Sequence, residues 1–409
     1  MLVEKNQHLG YPCNVKLSMK ANYKFLLFLI FWTFVGISPS RAQLWEVSLL
    51  TADPGKELYS SFGHSAIRLR ELVPEGRDVV FNFGTFDFDT PNFYGKFATG
   101  KLNYMLSISN YDRFVVEYDF YKRGLREQVL NLTDEQTDFL VQHLDAQYDP
   151  ARRFYKYDFF YNNCATKIRD AFEIAIGAQL IWNDSIAKEK KTFRDLVDEF
   201  VAPLPWADFG IDLALGSVID RPASPREKQF LPTYMEQAFA EATVLQNGVI
   251  RPFVKRSQVI LEYPEEPSSF SLFNPLVAFW CLTLVFVGLT GYGFKKGKLM
   301  KGLDFLLFGS LGIIGLVVTF LWFFTDHTAT VWNWNLLWAF PGHLVLVWGL
   351  FNRPNAAWLS SYLLFVIGAT VMVLLLWMLG LQSFSPALIP LLLLILLRAN
   401  FLFYNRKID

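Results

Sequence analysis

The chain has 409 residues and a formal net charge of zero, with 38 Lys and Arg residues against 38 Asp and Glu residues. Because it carries no excess of positive charge, we expect no nucleic-acid partner. Hydrophobic residues make up 52% of the chain and are concentrated after residue 272. The sequence therefore predicts a globular part followed by a membrane part.

The amino terminus is typical of an export signal. Lysines precede an apolar run that ends near Ile37, and the small residues Ser40 and Ala42 fit a cleavage site. We therefore predict a signal peptide over residues 19–42 and interpret residues 1–18 as an over-long start assignment. The alternative is an uncleaved anchor, which would add one membrane helix.

Residues 43–262 are predicted to form an exported α+β domain in which strands come first and helices later. Alternating apolar residues predict strands over 44–50, 61–72 and 79–84. Capping signals and apolar periodicity predict helices over residues 133–146, 164–176, 192–201 and 225–244.

Residues 263–272 are interpreted as a polar linker, and residues 273–404 as a bundle of five transmembrane helices. The five apolar segments are 273–293, 303–324, 336–351, 358–379 and 386–403. Each approaches the length that is needed to cross a ~30 Å hydrocarbon core, and the third is the shortest.

The loops between these segments predict their orientation. Lysines and arginines lie in the loop 295–301, at Arg353 and at 406–407, whereas the loop 325–335 has none. The positive-inside rule places the basic loops in the cytoplasm and the amino-terminal domain outside it, which agrees with the export signal. Three tryptophans are then expected in the outer aromatic belt: Trp332, Trp334 and Trp338.

Cys164 is the one cysteine of residues 43–262, so the exported domain is not stabilised by an internal disulfide. It falls in the first turn of a predicted helix. There the unpaired N–H groups and the helix dipole are expected to lower the pKa of the thiol. The same N–H groups could hold a developing oxyanion. A nucleophile is therefore one interpretation of Cys164.

A cysteine nucleophile needs a base and a group that orients the base. His64 is the histidine that lies in a strand pattern, and Asn82 lies on the next strand-like run. Antiparallel pairing could bring these two residues together. Cys164, His64 and Asn82 would then form a papain-type set in which histidine precedes cysteine. The alternative is that Cys164 and His64 are ordinary core residues.

Other ionisable residues offer weaker candidates. His343 lies within an apolar segment, where an ionisable group marks either a functional site or a structural hydrogen bond. Asp326 and His327 lie in the outer loop, where they either contact a lipid or the amino-terminal domain or are simply solvated, and we favour the solvated loop. The region 203–232 either binds substrate or packs. The sequence has no metal-binding motif and no phosphate-binding loop, so neither a metal nor a cofactor is expected.

Three motifs in order resemble one known family. They are Phe62–Arg68 (FGHSAIR), Phe81–Phe88 (FNFGTFDF) and Tyr161–Thr166 (YNNCAT). Together they resemble the Lnb-type family, bacterial proteins with a periplasmic amino-terminal domain followed by membrane helices and implicated as lipoprotein N-acyltransferases. The similarity covers about residues 44–245. The Asn-Cys element is also similar to circularly permuted papain-like folds, including the lecithin-retinol acyltransferase group.

The resemblance implies a role for each site residue. Cys164 would be the acyl-accepting nucleophile, His64 its base and Asn82 the third polar residue. The expected location is the inner membrane of a bacterium, with the amino-terminal domain in the periplasm. The acyl donor would be a membrane phospholipid, and the acceptor would be the N-terminal amine of the diacylglyceryl-cysteine of an exported lipoprotein.

Two alternatives stay open at this point. The same residues could serve a membrane-anchored hydrolase, either a cell-wall peptidase or amidase, or a phospholipase. The chain could also be a non-catalytic membrane scaffold with a buried, unreactive Cys164. The sequence does not indicate the oligomeric state, the donor lipid, or whether the acyl group moves within one lipoprotein.

Overall fold

The computed structural model of the protein describes residues 44–183, 189–264 and 273–405. The predicted signal peptide, residues 1–18 and most of the predicted linker lie outside these ranges. In the described ranges, the amino-terminal part is α+β and the carboxyl-terminal part is helical, as predicted.

An antiparallel sheet forms the centre of the amino-terminal part. In the described residues its seven strands are β1 Trp45–Ala52, β2 His64–Glu71, β3 Asp78–Thr85, β4 Asn103–Asn110, β5 Leu125–Leu130, β6 Phe154–Lys156 and β10 Val254–Leu261. Their spatial order is β10-β5-β1-β2-β3-β4-β6. A second sheet contains β7 Leu180–Ile181, β8 Thr243–Gln246 and β9 Val249–Pro252. The three predicted strands are confirmed as β1, β2 and β3.

The described residues of the amino-terminal part contain eight α-helices. They are α1 Phe93–Ala98, α2 Tyr111–Phe120, α3 Asp134–Tyr148, α4 Cys164–Ile176, α5 Phe193–Val201, α6 Pro205–Ala214, α7 Pro225–Lys228 and α8 Pro232–Glu241. The prediction of one helix over 225–244 is wrong. Pro232 has no N–H to continue α7 and begins α8 instead, and Thr243 already belongs to β8.

The alternation of side chains along the strands decides which helices each sheet face contacts. On one face, Leu49, Ile67 and Phe81 belong to a buried cluster that includes residues of α3, α4 and α8. On the other face, Leu50 and Val80 pack with residues of α2. The sheet is therefore buried on both faces, and α4 is held directly against β2 and β3.

The start of α4 is determined by a capping box. The Asn163 side chain accepts a hydrogen bond from the Thr166 N–H (2.9 Å), and the Thr166 hydroxyl accepts one from the Asn163 N–H (2.8 Å). The Asn163 amide also donates to the carbonyls of Phe159 and Phe230. A cap of this kind stabilises a helix by about 1 kcal/mol. Here it also fixes Cys164 as the first helical residue, as predicted.

The carboxyl-terminal part is helical: α9 Pro275–Lys296, α10 Lys301–Phe323, α11 His343–Asn352, α12 Trp358–Met378 and α13 Leu388–Asn405. Among the described residues, α9, α10, α12 and α13 are long and apolar enough to cross a membrane, whereas α11 is a shorter apolar helix. The predicted third segment, 336–351, therefore corresponds only in part to the helix α11. The chain there makes a 3₁₀ turn at Trp334–Leu337, and Pro341, which lacks an N–H, precedes α11.

A charged pair joins three of these helices. Arg398 of α13 donates to Asp304 of α10 at 2.7 Å and to the hydroxyl of Thr290 in α9 at 2.7 Å. Arg398 and Asp304 are at most 1% exposed. A pair of charges so deeply buried makes the relative placement of α9, α10 and α13 specific, since separating them would leave an unpaired charge.

The expected place of Trp338 in an outer aromatic belt is wrong. Its side chain is 1% exposed, and the indole N–H donates to the Asn335 side chain at 2.8 Å. The indole packs in the core of the helical part because the turn before α11 folds back among the helices. Trp332, by contrast, is 58% exposed.

The region 203–232, whose role the sequence left open, connects the two parts. The last carbonyls of α6 have no partner within the helix. The Asn333 amide donates to the carbonyls of Leu213 and Ala214, and the Asn335 amide donates to that of Asp212, at 2.9–3.0 Å. Two asparagines of the helical part therefore cap a helix of the amino-terminal part, and the chain from Leu44 onward forms one compact unit.

Candidate active site

A cavity of about 480 Å³ lies where the motifs meet. Its walls come from the first residues of β2, the end of β3, the start of α4, the helix α6 and the loop 326–330. His64 and Cys164 both line it. The volume is within the range of small-molecule binding sites.

Most of the cavity lining is aromatic or aliphatic. Phe62, Phe83, Phe159 and Phe230 line it from the amino-terminal sheet and its loops, and Ile211 lines it from α6. A lining of this kind excludes water and suits an apolar ligand segment more than a charged one.

Cys164 places its sulfur at the amino end of α4, with the residue 9% exposed. The backbone N–H groups of Ser65, Ala165 and Cys164 itself act to lower the pKa of this thiol. Burial raises the pKa of the Cys164 thiol above its usual value, and the three N–H groups offset this only in part. The predicted lowering of the pKa is therefore wrong, because desolvation of the thiolate outweighs the N–H groups of the helix start.

His64 and Asn82 are hydrogen-bonded, with 3.3 Å between His64 Nε2 and Asn82 Oδ1. The Asn82 amide nitrogen donates to the Ser109 hydroxyl at 3.3 Å, so its oxygen is the atom that faces the histidine. An acceptor at this position requires the proton on Nε2 and leaves Nδ1 with a free lone pair. Burial lowers the pKa of His64 to about 4, so the ring is neutral at pH 7.

The three predicted site residues thus lie together. His64 and Cys164 line the same cavity, and Asn82 is hydrogen-bonded to His64. Gly84 has a φ of +86°, and a Cβ there would lie 3.7 Å from Cys164 Cβ and 3.5 Å from the Tyr157 ring. The glycine therefore lets β3 turn away beside the cysteine in a conformation that other residues rarely adopt. The catalytic roles of Cys164, His64 and Asn82 stay predictions.

Of the alternatives for Asp326 and His327, contact with the amino-terminal domain is observed, while the Asp326 side chain stays exposed. The Asp326 N–H donates to the Thr99 carbonyl at 2.9 Å, and His327 Nε2 lies 3.3 Å from the Ala98 carbonyl. The Thr328 hydroxyl donates to Asp158 at 2.5 Å. The end of α1 offers free carbonyls that the loop satisfies, and the loop thereby becomes a wall of the cavity.

His343 is not part of the cavity wall. It is 1% exposed at the start of α11, with Nε2 3.1 Å from the Trp338 carbonyl and Nδ1 3.0 Å from the Tyr362 hydroxyl. Both ring nitrogens have partners. Of the two interpretations of His343, the structural hydrogen bond describes what is observed.

Sequence reasoning missed Tyr157 and Tyr104, which also line the cavity. Their rings stack with centroids 4.3 Å apart. Burial raises the pKa of Tyr157 well above its usual value, so its hydroxyl stays protonated. The available signal was the alternation of tyrosines at 155 and 157, directly before the Asn-Cys motif.

The raised pKa of Cys164 predicts a pH profile for its alkylation. In a variant with Cys13→Ser and Cys281→Ser, iodoacetamide should react slowly at pH 7, and its rate should rise about tenfold per pH unit toward pH 9, because the thiolate is the reactive form. The adduct is measured by mass spectrometry of the Cys164 peptide. A rate that is already constant at pH 7 would contradict the raised pKa.

Two comparisons with protein families match the chain. A model of the Lnb N-terminal periplasmic domain matches residues 40–198, and a model of the Lnb transmembrane domain matches residues 265–407. The chain belongs to the Lnb-type family. His64, Asn82 and Cys164 all lie within the range that matches the Lnb periplasmic domain. Comparisons with curated proteins and with solved structures give no match.

Membership in the Lnb family supports the coarser predictions. It indicates a membrane protein with a periplasmic amino-terminal domain that acts in lipoprotein biogenesis, as an enzyme of lipoprotein maturation. The similarity of this domain to permuted papain-like folds stays a prediction.

Proposed function

We propose that the protein is a lipoprotein N-acyltransferase that uses Cys164 as its nucleophile. The observation that carries the proposal is the meeting of Cys164 with the hydrogen-bonded pair His64–Asn82 in an apolar cavity whose wall includes a loop of the membrane part. The acyl donor is a membrane phospholipid, and the acceptor is the N-terminal amine of a diacylglyceryl-cysteine lipoprotein.

In the first half of the reaction, Nδ1 of His64 takes the proton of the Cys164 thiol. The sulfur attacks an ester carbonyl of the phospholipid, and the C–S bond of a thioester forms. As the bond from the carbonyl carbon to the glycerol oxygen breaks, His64 returns the proton to that oxygen, and a lysophospholipid leaves.

The resting state suits this sequence of steps. The neutral ring of His64 is ready to accept a proton at pH 7, and Cys164 stays a neutral thiol until substrate is present. The N–H groups near the sulfur favour the thiolate that forms when His64 takes the proton. The hydrogen bond that His64 Nε2–H donates to Asn82 Oδ1 keeps the ring oriented and favours its protonated form.

In the second half, the amine of the acceptor attacks the thioester carbonyl. The C–N bond of an amide forms, the C–S bond breaks, and His64 transfers a proton from the amine nitrogen to the sulfur. Donor and acceptor are both anchored in the membrane. Because the cavity lies next to the membrane part, each substrate reaches it by diffusion within the bilayer, which lowers the entropic cost of bringing the reactants together.

Capture of the thioester tests the proposal. The purified full chain is incubated with a phospholipid that carries isotopically labelled acyl chains, without acceptor. We expect the peptide that contains Cys164 to gain the mass of one acyl group, and hydroxylamine to remove it. The peptide that contains Cys281 is the internal control and should keep its mass, because it lies in α9 away from the cavity.

Addition of a diacylglyceryl-cysteine lipopeptide then separates transfer from hydrolysis. Label in the amide of the lipopeptide supports the transferase. Label released only as free fatty acid would favour the phospholipase alternative, since water would then be the acceptor. Transfer to the lipopeptide without any acyl group on Cys164 would overturn the proposed mechanism.

A further inference from the structure

An aromatic segment, residues 86–97, lies at the surface beside the cavity. Three of its side chains are exposed: Phe88 by 69%, Tyr94 by 80% and Phe97 by 54%. They surround the buried ring of Phe93, whose centroid is 4.9 Å from that of Phe88 and 5.4 Å from that of Tyr94. A contiguous apolar patch on a protein surface marks a contact with another partner.

The position of the aromatic segment points to that partner. Directly after the segment, the carbonyls of Ala98 and Thr99 hold His327 and the N–H of Asp326. These two residues follow the end of α10 at Phe323 by three and four residues. Because a residue spans at most about 3.6 Å, His327 lies within about 15 Å of the end of a membrane span, and the segment ends one hydrogen bond beyond it.

The patch continues into the cavity. Phe86 and Phe97 line the cavity, as do Leu58 and Tyr59, which are 43% and 79% exposed. Phe88 and Tyr94 lie beyond these residues on the outer surface. The aromatic segment therefore contributes apolar side chains both to the outer surface and to the cavity that Cys164 lines.

We propose that the aromatic segment inserts Phe88, Tyr94 and Phe97 into the headgroup layer of the same bilayer that the helical part crosses. Aromatic side chains favour this interface because the ring can be buried toward the acyl chains while the backbone stays in the hydrated headgroup layer. The loop after α10 holds the aromatic segment close to the end of a membrane span. This position favours a bilayer over a polypeptide as the partner that covers the patch. An acyl chain could then enter the cavity without crossing water.

The inference is independent of the chemistry at Cys164, so a protein without native cysteines can test it. Cys13, Cys164 and Cys281 are replaced by serine, and a nitroxide label is attached after Tyr94→Cys or Phe88→Cys. The full chain is reconstituted in bilayer discs of phosphatidylcholine and phosphatidylglycerol. Collision of the label with oxygen and with a water-soluble nickel chelate is measured by power saturation.

Ile250→Cys is the matched control. Ile250 is 63% exposed and lies on β9 of the small sheet. The first strand of that sheet, β7, follows the carboxyl end of α4. α4 begins at the cavity and is ~20 Å long. The label there should contact the nickel chelate freely.

We expect labels at 94 and 88 to collide more with oxygen and at least about tenfold less with the nickel chelate than the label at 250. Equal accessibility of all three labels to the chelate would overturn the proposal. Protection of 94 and 88 from oxygen and chelate alike would also overturn it, because it would show a polypeptide cover.

A functional arm uses Phe88→Glu with Tyr94→Glu, two positions outside the cavity lining. We expect the KM for phospholipid in vesicles to rise about tenfold, with kcat unchanged and with no change for a short-chain, water-soluble lipid. An unchanged KM would contradict a role in lipid uptake. If the enzyme activity itself were absent, the label measurements would still decide the membrane contact.

Discussion

Replacing Cys164 with alanine is expected to abolish acyl transfer, with a loss on the order of 10³-fold or more, because no other group can carry the acyl chain. His64→Ala is expected to lower the rate by about 10²- to 10⁴-fold, the usual contribution of a general base. The readout is mass spectrometry of lipopeptide N-termini after reaction with the reconstituted full chain.

Two matched substitutions control for these losses. Cys281→Ala removes a thiol that is exposed on α9. His143→Ala removes a histidine that stacks on Phe139 of α3 and bonds with Gln147. Both should keep the activity of the unchanged protein. Full activity in Cys164→Ala would refute the nucleophile, and full activity in His64→Ala would refute the base.

Folding should survive the substitutions at the site. Alanine at 164 keeps the cap at Asn163, which depends on Thr166 rather than on the thiol. A loss of activity at an unchanged melting temperature therefore reports chemistry. A melting temperature that falls together with activity would instead indicate that Cys164 is a core residue.

Arg194→Met is expected to destabilise the protein by about 3–5 kcal/mol, because it leaves buried carboxylates without their cation. Arg194 is 2% exposed and donates to Asp212 at 2.7 Å and to Asp220 at 2.8 Å. It also donates to the Gly216 carbonyl at 3.2 Å. The melting temperature of the full chain in detergent, followed by intrinsic fluorescence, measures the effect.

Arg226→Met is the matched control for this prediction. Arg226 also has two carboxylate partners, Asp170 and Glu173, but its side chain is 53% exposed. Exposed pairs of this kind contribute about 0–1 kcal/mol. Equal shifts in the two variants would contradict the argument from burial. Since Asp212 belongs to α6, Arg194→Met should also weaken the cavity wall and lower activity.

Local signals in the sequence were enough for the elements that carry the candidate site. An asparagine directly before Cys164 predicts a helix that begins there, because asparagine is a preferred cap of a helix start. Period-two alternation predicts β2 and β3, and adjacent antiparallel strands bring His64 and Asn82 to 3.3 Å. These predictions depend on neighbours in sequence or on consecutive strands, so a single sequence contains the required information.

The tertiary structure decided what depends on burial and on distant contacts. The thiol of Cys164 has a raised pKa because the fold removes it from water, whereas the sequence could show only the favourable helix start. The loop 326–330 forms a cavity wall because its partners, Ala98 and Thr99, are more than two hundred residues away. Residue patterns alone cannot specify such a contact.

In the membrane part, too, the sequence determined some features and the tertiary structure decided others. Composition and length were sufficient for the four long spans, since a span is a local property of about 20 apolar residues. The segment 336–351 is just as apolar, yet Pro341 and the packing of Trp338 make it a turn and a short helix. The sequence by itself determined the strands and the helix that carry His64, Asn82 and Cys164, and the fold determined the environment of these residues, because desolvation and long-range contacts exist only in the folded chain.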